Sequence, residues 1–243
     1  MRFTYPAYRA LLRLLRKQGY AYQNYHTYAD SPRCVILRHD IDTSLNQAVR
    51  LAELEAEEGV ASTYFILLRT DFYNAASKRS QEALRRILAL GHEIGLHFDE
   101  VSYGKELTSE ETVQKISNEC GLLSALLDHA VSTVSMHRPS KATLEADLEI
   151  PGIVNSYGKT FFHDFKYLSD SRRRWREPVL DIIRSGEYDR LHILTHAFWY
   201  HEQEESISET VGAFINGGNM ARYAAMRENI ADLSSIMQES EVR

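Results

Sequence analysis

A histidine and two aspartates lie together in the segment Arg38-His39-Asp40-Ile41-Asp42, directly after an apolar run, Cys34-Val35-Ile36-Leu37. Such a run is typical of a buried strand, so these side chains are predicted to stand at its carboxyl end. Alternation along a strand places Asp40 and Asp42 on one face and His39 on the other. Two carboxylates on one face need a cation, a shared proton or a basic neighbour. The alternative is that both are exposed turn residues that cap the next helix.

Further acids and imidazoles end other predicted strands: His97 and Asp99 follow one, His137 and Arg138 a second, and His196 a third. Strands and helices alternate about seven times, and such alternation predicts a parallel sheet. With so many units, a closed or nearly closed barrel is favoured over an open sheet. In a parallel barrel, functional residues gather at the carboxyl ends of the strands. No glycine-rich phosphate fingerprint follows a strand, which argues against a dinucleotide-binding fold.

This mixture of residue types suits metal-assisted hydrolysis. Aspartate and histidine together bind a divalent metal such as zinc and leave a position open for water. The metal lowers the pKa of the water and polarises a carbonyl. A free carboxylate can take the proton of the water, a histidine can protonate the leaving group, and an arginine can orient the carboxylate.

Each residue also has a structural alternative. His97 could be a hydrogen-bonded core histidine, His137 a structural partner, and Asp99 the polar start of a loop. Trp199 belongs to an aromatic stretch after His196, which could be part of the core or a wall on which a sugar ring stacks.

The remaining pattern predicts the other elements. Thr108 and Glu111 have capping-box spacing at the start of a long helix. The segment 150–156 is predicted to be a strand, and the segment 161–167 is predicted to contain a further short strand, although its pattern is the least regular. The last 36 residues are predicted to be helical, with a break at Gly217-Gly218.

Composition narrows the class of protein. The 243 residues suffice for one large α/β domain, and we expect a single domain over 1–243. A net charge of −6 does not suggest a nucleic-acid partner, and Arg172-Arg173-Arg174 is the only basic cluster, a small hint of phosphate binding. Cys34 and Cys120 are expected to be buried free thiols. No apolar run is long enough for a membrane span, and no signal peptide is evident, so the expected location is cytoplasmic.

Three segments together resemble the polysaccharide deacetylase family, also called the NodB-homology or carbohydrate esterase 4 family. They are 37–42 (Leu-Arg-His-Asp-Ile-Asp), 62–65 (Ser-Thr-Tyr-Phe) and 91–97 (Gly-His-Glu-Ile-Gly-Leu-His), in the order and roughly the spacing of the family. Arg138-Pro139 resembles a later family motif and 194–196 (Leu-Thr-His) the last one. The resemblance spans about residues 34 to 200. The segments 38–42 (Arg-His-Asp-Ile-Asp), 137–140 (His-Arg-Pro-Ser) and 169–171 (Ser-Asp-Ser) are similar to those of a divergent branch, the deacetylase-like proteins of O-antigen or other surface polysaccharide synthesis.

The resemblance implies a distorted seven-stranded (β/α) barrel that removes an N-acetyl or O-acetyl group from a sugar. It assigns Asp40 as the catalytic base, Asp42 and His97 as metal ligands, Arg138 as the arginine that orients the base, and His196 as the general acid. The expected substrate is a nucleotide-linked or lipid-linked sugar, and the expected cofactor is a divalent metal, zinc being favoured.

One departure from the family concerns the metal. The second metal-binding histidine of the family lies four residues after the first, where this chain has Val101. Asp99 or His137 could supply the third ligand, and His137 is favoured. Asp99 and Trp199 are otherwise expected to contact the sugar. The departure leaves two alternatives open: a metal-free or differently ligated hydrolase of another C–N bond, and a catalytically degenerate barrel that binds sugar.

Overall fold

Helices and strands alternate along the chain, as the sequence predicts. The computed structural model describes residues 1–104 and 106–242. Its strands are β1 (Ala21–Gln23), β2 (Cys34–Ile41), β3 (Thr63–Leu67), β4 (Glu93–Phe98), β5 (Thr133–Met136), β6 (Val154–Asn155), β7 (Lys166–Ser169) and β8 (Arg190–Thr195). Its helices are α1 (Tyr5–Lys17), α2 (Leu45–Glu57), α3 (Lys78–Ala89), α4 (Ser109–Leu127), α5 (Lys141–Glu145), α6 (Lys159–His163), α7 (Val179–Ser185), α8 (Ile207–Asn229) and α9 (Leu233–Ile236).

Contacts divide the chain into two compact units, Met1–Glu202 and the residues from Gln203 onward. All of the strands lie in the first unit. A single domain over 1–243 therefore stays a prediction.

The strands form one parallel sheet. Seven of them follow the order β6-β5-β4-β3-β2-β8-β7, and β1 pairs with β2 beside this path. In a flat sheet, β2 and β5 would lie about 14 Å apart, yet the Arg38 guanidinium of β2 contacts the Ser135 hydroxyl of β5. The sheet is therefore curled around Arg38. Among the described residues no pairing joins β6 to β7, so the barrel is open on that side. The predicted fold class, a distorted seven-stranded (β/α) barrel, is confirmed.

Sequence patterns account for the elements that flank the site. All eight residues of β2 are buried, as its apolar run predicts. The predicted capping box of α4 is confirmed, because the Thr108 side chain accepts from the Glu111 backbone and the Glu111 side chain accepts from the Thr108 backbone. Cys34 and Cys120 are buried free thiols, as predicted.

Short strands differ most from what the sequence predicts. The strand β1 has no counterpart in the sequence pattern, because three half-buried residues carry no distinctive pattern. The strand predicted within 161–167 is β7, which begins at Lys166 and extends to Ser169, whereas the start of the segment belongs to α6, which ends at His163. The strand expected over 150–156 contains only the two residues of β6.

The C-terminal unit begins with a capping box at Ser206 and Glu209, which starts α8. The predicted break at Gly217-Gly218 is wrong: α8 runs through both glycines for 23 residues. Each glycine in a helix interior costs only about 1 kcal/mol, which a helix of this length can offset. The chain then reverses, and the Tyr223 hydroxyl donates to the Met237 carbonyl at 2.8 Å. None of the helices in the described part of the chain is long and apolar enough to cross a membrane.

A buried carboxylate ties α2 to the outer face of β2. Glu55 accepts hydrogen bonds from the hydroxyls of Tyr8 at 2.6 Å, Ser62 at 2.6 Å and Tyr64 at 2.7 Å. Its fourth partner is the imidazole of His39, at 2.9 Å. Burial by itself would raise the pKa of Glu55, but the charge and hydrogen bond of His39 outweigh burial and lower the pKa to about 2.

Replacing Glu55 with glutamine is expected to lower the free energy of unfolding by about 3 kcal/mol at neutral pH, because the amide nitrogen would face donors. The pKa of Glu55 is lower in the folded state than its usual value of 4.5. The ionised carboxylate therefore contributes fully to the free energy of unfolding above pH 4.5, and this contribution is lost as the pH falls toward 2. Urea unfolding at neutral and acidic pH measures this difference. Glu53→Gln, on the exposed side of the same helix, is the control and should change stability by less than about 0.5 kcal/mol. Equal losses from both variants would contradict the prediction.

Candidate active site

Three predicted metal ligands meet at the carboxyl ends of β2, β4 and β5. The Asp42 Oδ1 atom lies 3.3 Å from His97 Nε2 and 3.4 Å from His137 Nδ1. The two imidazole nitrogens are 3.2 Å apart. The three ligand atoms thus form a nearly equilateral triangle, built from residues that are distant in sequence. The strands β4 and β5 are neighbours in the sheet, and β3 lies between β4 and β2.

This triangle fits a divalent metal. Ligand atoms about 2.0–2.1 Å from a tetrahedral zinc ion stand about 3.3–3.4 Å apart, close to the observed edges. Within the described residues, Asp42 Oδ1 is buried and accepts no hydrogen bond, although buried carboxylate oxygens normally have a partner. Two imidazoles and one carboxylate form a donor set that zinc binds in catalytic sites. Asp42, His97 and His137 are therefore the residues that could hold the metal.

The pKa of Asp42 agrees with this arrangement. Burial alone would raise its pKa, but the neighbouring imidazoles of His137 and His97, together with the charge of His196, lower it well below the usual range. Asp42 is therefore ionised at neutral pH, which is the form that binds a metal.

Asp40 lies beside this triangle, with Oδ2 at 3.6 Å from His97 Nε2. Its partner is Arg38, whose Nη2 atom donates to Oδ1 at 2.7 Å and to Oδ2 at 2.6 Å. Arg38 is fully buried and also donates to the Ser135 and Ser156 hydroxyls. Burial would raise the pKa of Asp40, but the charge of Arg38 outweighs it, so the pKa is lowered and the carboxylate is ionised.

The structure does not bring Arg138 to Asp40. Arg138 has a left-handed backbone with φ of 46°, its side chain is 71% exposed, and its ion-pair contact is with Asp99 at 3.8 Å. The contact predicted for Arg138 is made by Arg38 instead, because Arg38 lies two residues before Asp40 and points to the same side of β2. Asp99 itself caps a short 3-10 helix by accepting from the Val101 amide at 3.3 Å.

Val101 stands where the polysaccharide deacetylase family has its second metal-binding histidine. It lies in the same 3-10 helix and is 64% exposed. The group of possible metal ligands contains His137, and not Asp99. Of the two candidates for a third ligand, the geometry thus favours the histidine.

His196 follows β8, which lies on the other side of β2 from β4 and β5, and its Nε2 atom is 3.9 Å from Asp42 Oδ2. Its Nδ1 atom pairs with the fully buried Asp170 at 2.7 Å, and Asp170 also accepts from the His196 backbone and from the Tyr200 hydroxyl. This contact holds a proton on Nδ1 and directs Nε2 toward the site. Burial would lower the pKa of His196, but Asp170 outweighs it and raises the pKa to about 9.

Trp199 is half-buried and packs against the hydrophobic core, with its ring centroid 4.8 Å from that of Phe198. It follows His196 in a short 3-10 helix, Ala197–Trp199. A sugar-stacking role for Trp199 stays a prediction.

Two residues of the site were missed from the sequence. Arg38 has no separate role in the motifs of the sequence, although its spacing of two from Asp40 on one strand is a usable signal. Asp170 directly follows β7, and its partner His196 directly follows the neighbouring β8, with Ser169 paired to Leu194. Only the order of strands in the sheet reveals that these two ends are adjacent.

No protein-family model matches this sequence, and no curated protein sequence matches it. Solved structures are similar in fold. A CE4 esterase from Streptococcus mutans is 16% identical, with a TM-score of 0.51, over 87% of this chain and 91% of that one. This likeness shows that the chain has the fold of a CE4 esterase.

Two other structures are similar at lower TM-scores. A CE4 family pseudoenzyme from Bacillus anthracis is 17% identical, with a TM-score of 0.42, over 76% of this chain and 59% of that one. A chitin deacetylase from Colletotrichum lindemuthianum is 15% identical, with a TM-score of 0.44, over 76% and 81%. The chain thus spans less than two thirds of the length of the pseudoenzyme.

Proposed function

We propose that this protein is a metal-dependent hydrolase of the polysaccharide deacetylase family, which removes an acetyl group from a sugar by cleaving an amide or ester bond. The triangle of Asp42, His97 and His137 carries the proposal, because three potential ligand atoms 3.2–3.4 Å apart lie close to the carboxylate of Asp40 and to the protonated imidazole of His196. When bound, a divalent cation such as zinc supplies Lewis-acid polarisation of the acyl carbonyl and lowers the pKa of water.

The residues around the triangle have separate roles in this proposal. Asp40, held by Arg38, takes the proton of the attacking water, because it is ionised and lies next to the ligand atoms. His196, held by Asp170, gives a proton to the departing amine or hydroxyl. Acyl hydrolysis requires both a base and an acid near the acyl group. Asp99 and Trp199 are proposed to contact the sugar. Arg138, which is exposed at the rim of the candidate site, is a further residue proposed to contact it.

The finer parts of the proposal concern the substrate and its location. We propose a nucleotide-linked or lipid-linked sugar, used in the synthesis of bacterial O-antigen or another surface polysaccharide. The motifs at 38–42, 137–140 and 169–171 support this through their resemblance to deacetylase-like proteins of such synthesis. A cytoplasmic site of action is proposed with it, and the free thiols of Cys34 and Cys120 are compatible with a reducing compartment.

Acetate release from N-acetylated and O-acetylated sugars and sugar nucleotides tests the function. We expect release by zinc-loaded protein, loss after chelation, and recovery when zinc is added back. The stripped protein with and without added zinc provides a matched pair. Full activity in chelator would instead support a metal-free hydrolase. No acetate from any substrate, with zinc present, would contradict deacetylation and favour a sugar-binding barrel.

A further inference from the structure

The three consecutive arginines Arg172, Arg173 and Arg174 begin three residues after Ser169, the end of β7. Ser169, the last residue of β7, pairs with Leu194 of β8, so this loop leaves the sheet at the same edge as His196. The first residue of the loop is Asp170, which holds His196 at 2.7 Å. The Cα of Arg172 thus lies within about 7.6 Å of the Cα of Asp170, at the mouth of the candidate site.

The backbone of this loop is unusual. Arg172 has φ of 60° and Arg173 has φ of 55°, both in the left-handed region that non-glycine residues rarely adopt. Two local hydrogen bonds hold the loop: the Ser171 amide donates to the Ser169 hydroxyl at 3.1 Å, and the Arg174 amide donates to the Asp170 carbonyl at 3.1 Å. Backbone strain of this kind concentrates at functional sites.

The loop separates its three guanidinium groups. Arg173 is half-buried, and its guanidinium lies 5.3 Å from the ring centroid of Phe3. Arg172 and Arg174 are exposed on either side of it. The middle arginine therefore packs the loop against Phe3, while its two neighbours are exposed to solvent.

These two exposed arginines have no acidic partner among the residues that the structure describes, although the chain carries a net charge of −6. Other arginines do pair: Arg33 contacts Asp189 at 2.8 Å, and Arg9 contacts Glu58 at 2.8 Å. The carboxylates nearest in sequence have other partners: Asp170, two residues before Arg172, pairs with His196 and Tyr200, and Glu177, three residues after Arg174, pairs with Lys166 at 2.7 Å. Two guanidinium groups without acidic partners, beside the proposed sugar site, are suited to bind a phosphate. A guanidinium binds a phosphate through two parallel hydrogen bonds.

We propose that Arg172 and Arg174 form a binding site for the diphosphate group of a diphosphate-linked sugar. The inference rests on the proposed function, because it assigns to the sugar substrate an anionic group that binds outside the centre where the acetyl group is removed. A nucleoside diphosphate and an isoprenoid-lipid diphosphate share this chemistry, and the loop would recognise the phosphates of either. A free neutral sugar would lack the contact and bind more weakly.

The test compares the double variant Arg172→Gln/Arg174→Gln with a charge-matched control, Arg50→Gln/Arg85→Gln. Arg50 and Arg85 are exposed on α2 and α3 and form no ion pair with the described residues. The probes are inorganic pyrophosphate, UDP-N-acetylglucosamine, a short isoprenyl diphosphate of the same sugar, and the free sugar, each titrated by calorimetry at low salt. Circular dichroism and the melting temperature verify that all proteins are folded.

We expect the loop variant to bind pyrophosphate and at least one diphosphate-linked sugar 10-fold or more weakly than wild type, with less than a twofold change in the control. The diphosphate sugar that shows the larger loss identifies the carrier. Equal pyrophosphate affinity in wild type and loop variant, or an equal loss in the control, would overturn the inference. Binding is read without acetate release, so arginine-dependent binding in a protein that releases no acetate would refute deacetylation and retain the phosphate site.

Discussion

Replacing His137 with alanine is expected to weaken zinc binding by about 100-fold or more, so that the purified variant holds little metal where the wild type holds about one equivalent. The reason is geometric: without His137, only Asp42 and His97 remain of the three atoms that form the triangle. Removing a residue that only hydrogen-bonds to a metal ligand typically lowers metal affinity by 10-fold to 100-fold. Removing a ligand itself should lower the affinity by at least about as much. Elemental analysis and competition with a chromophoric chelator measure the effect.

Two variants make this experiment specific. His129→Ala removes an exposed imidazole after α4 and should leave zinc content unchanged. Asp99→Ala tests the other candidate ligand and should also keep its zinc, because Asp99 is not part of the triangle. If Asp99→Ala lost the metal and His137→Ala kept it, the ligand set would be Asp42, His97 and Asp99, and the proposed centre would be contradicted.

Replacing Asp40 with asparagine is expected to lower kcat for acetate release by about 1000-fold while bound zinc stays near one equivalent. Asparagine has nearly the same shape and can still accept from Arg38, but it cannot take a proton from water. Asp40 is not one of the three triangle residues, so metal content should separate its role from that of Asp42. Single-turnover acetate release, with metal analysis of the same samples, measures both quantities.

The controls address the buried charge of Arg38, which Asp40→Asn leaves without a counter-ion. Such a loss destabilises proteins by about 3–5 kcal/mol, so a double variant with Arg38→Met removes the cation as well. Asp71→Asn, an exposed aspartate between β3 and α3, should change neither activity nor metal content. Near-normal activity in folded Asp40→Asn would show that Asp40 is not the base.

Much of the site follows from strand ends that are visible in the sequence. Asp42, His97 and His137 each stand at the end of a stretch whose apolar and β-branched residues indicate a strand, and such stretches can be recognised without a structure. The sequence does not show which arginine pairs with Asp40, because Arg38 and Arg138 carry the same guanidinium group. Burial decides between them: Arg38 lies inside the curled sheet, whereas Arg138 is at its rim.

Other features depend on the order of strands rather than on local pattern. The contact of Asp170 with His196 requires β7 to lie beside β8, which sequence alternation does not specify. The strand β1 and the short β6 lack the length that makes a pattern readable. The helix α8 is a different case, because the pair Gly217-Gly218 is a strong local signal for a helix break. The helical preference of the residues around it outweighs that signal, and α8 is continuous.

The open side of the barrel has a consequence for solubility. A sheet that does not close leaves two edges with unpaired backbone groups, and such edges can template pairing with another chain. Here one edge strand, β6, has two residues, and the other, β7, has four. The flanking helices α5 and α6 also interrupt the chain on either side of β6. The barrel can therefore stay open at this seam while offering too short a template for edge-to-edge aggregation.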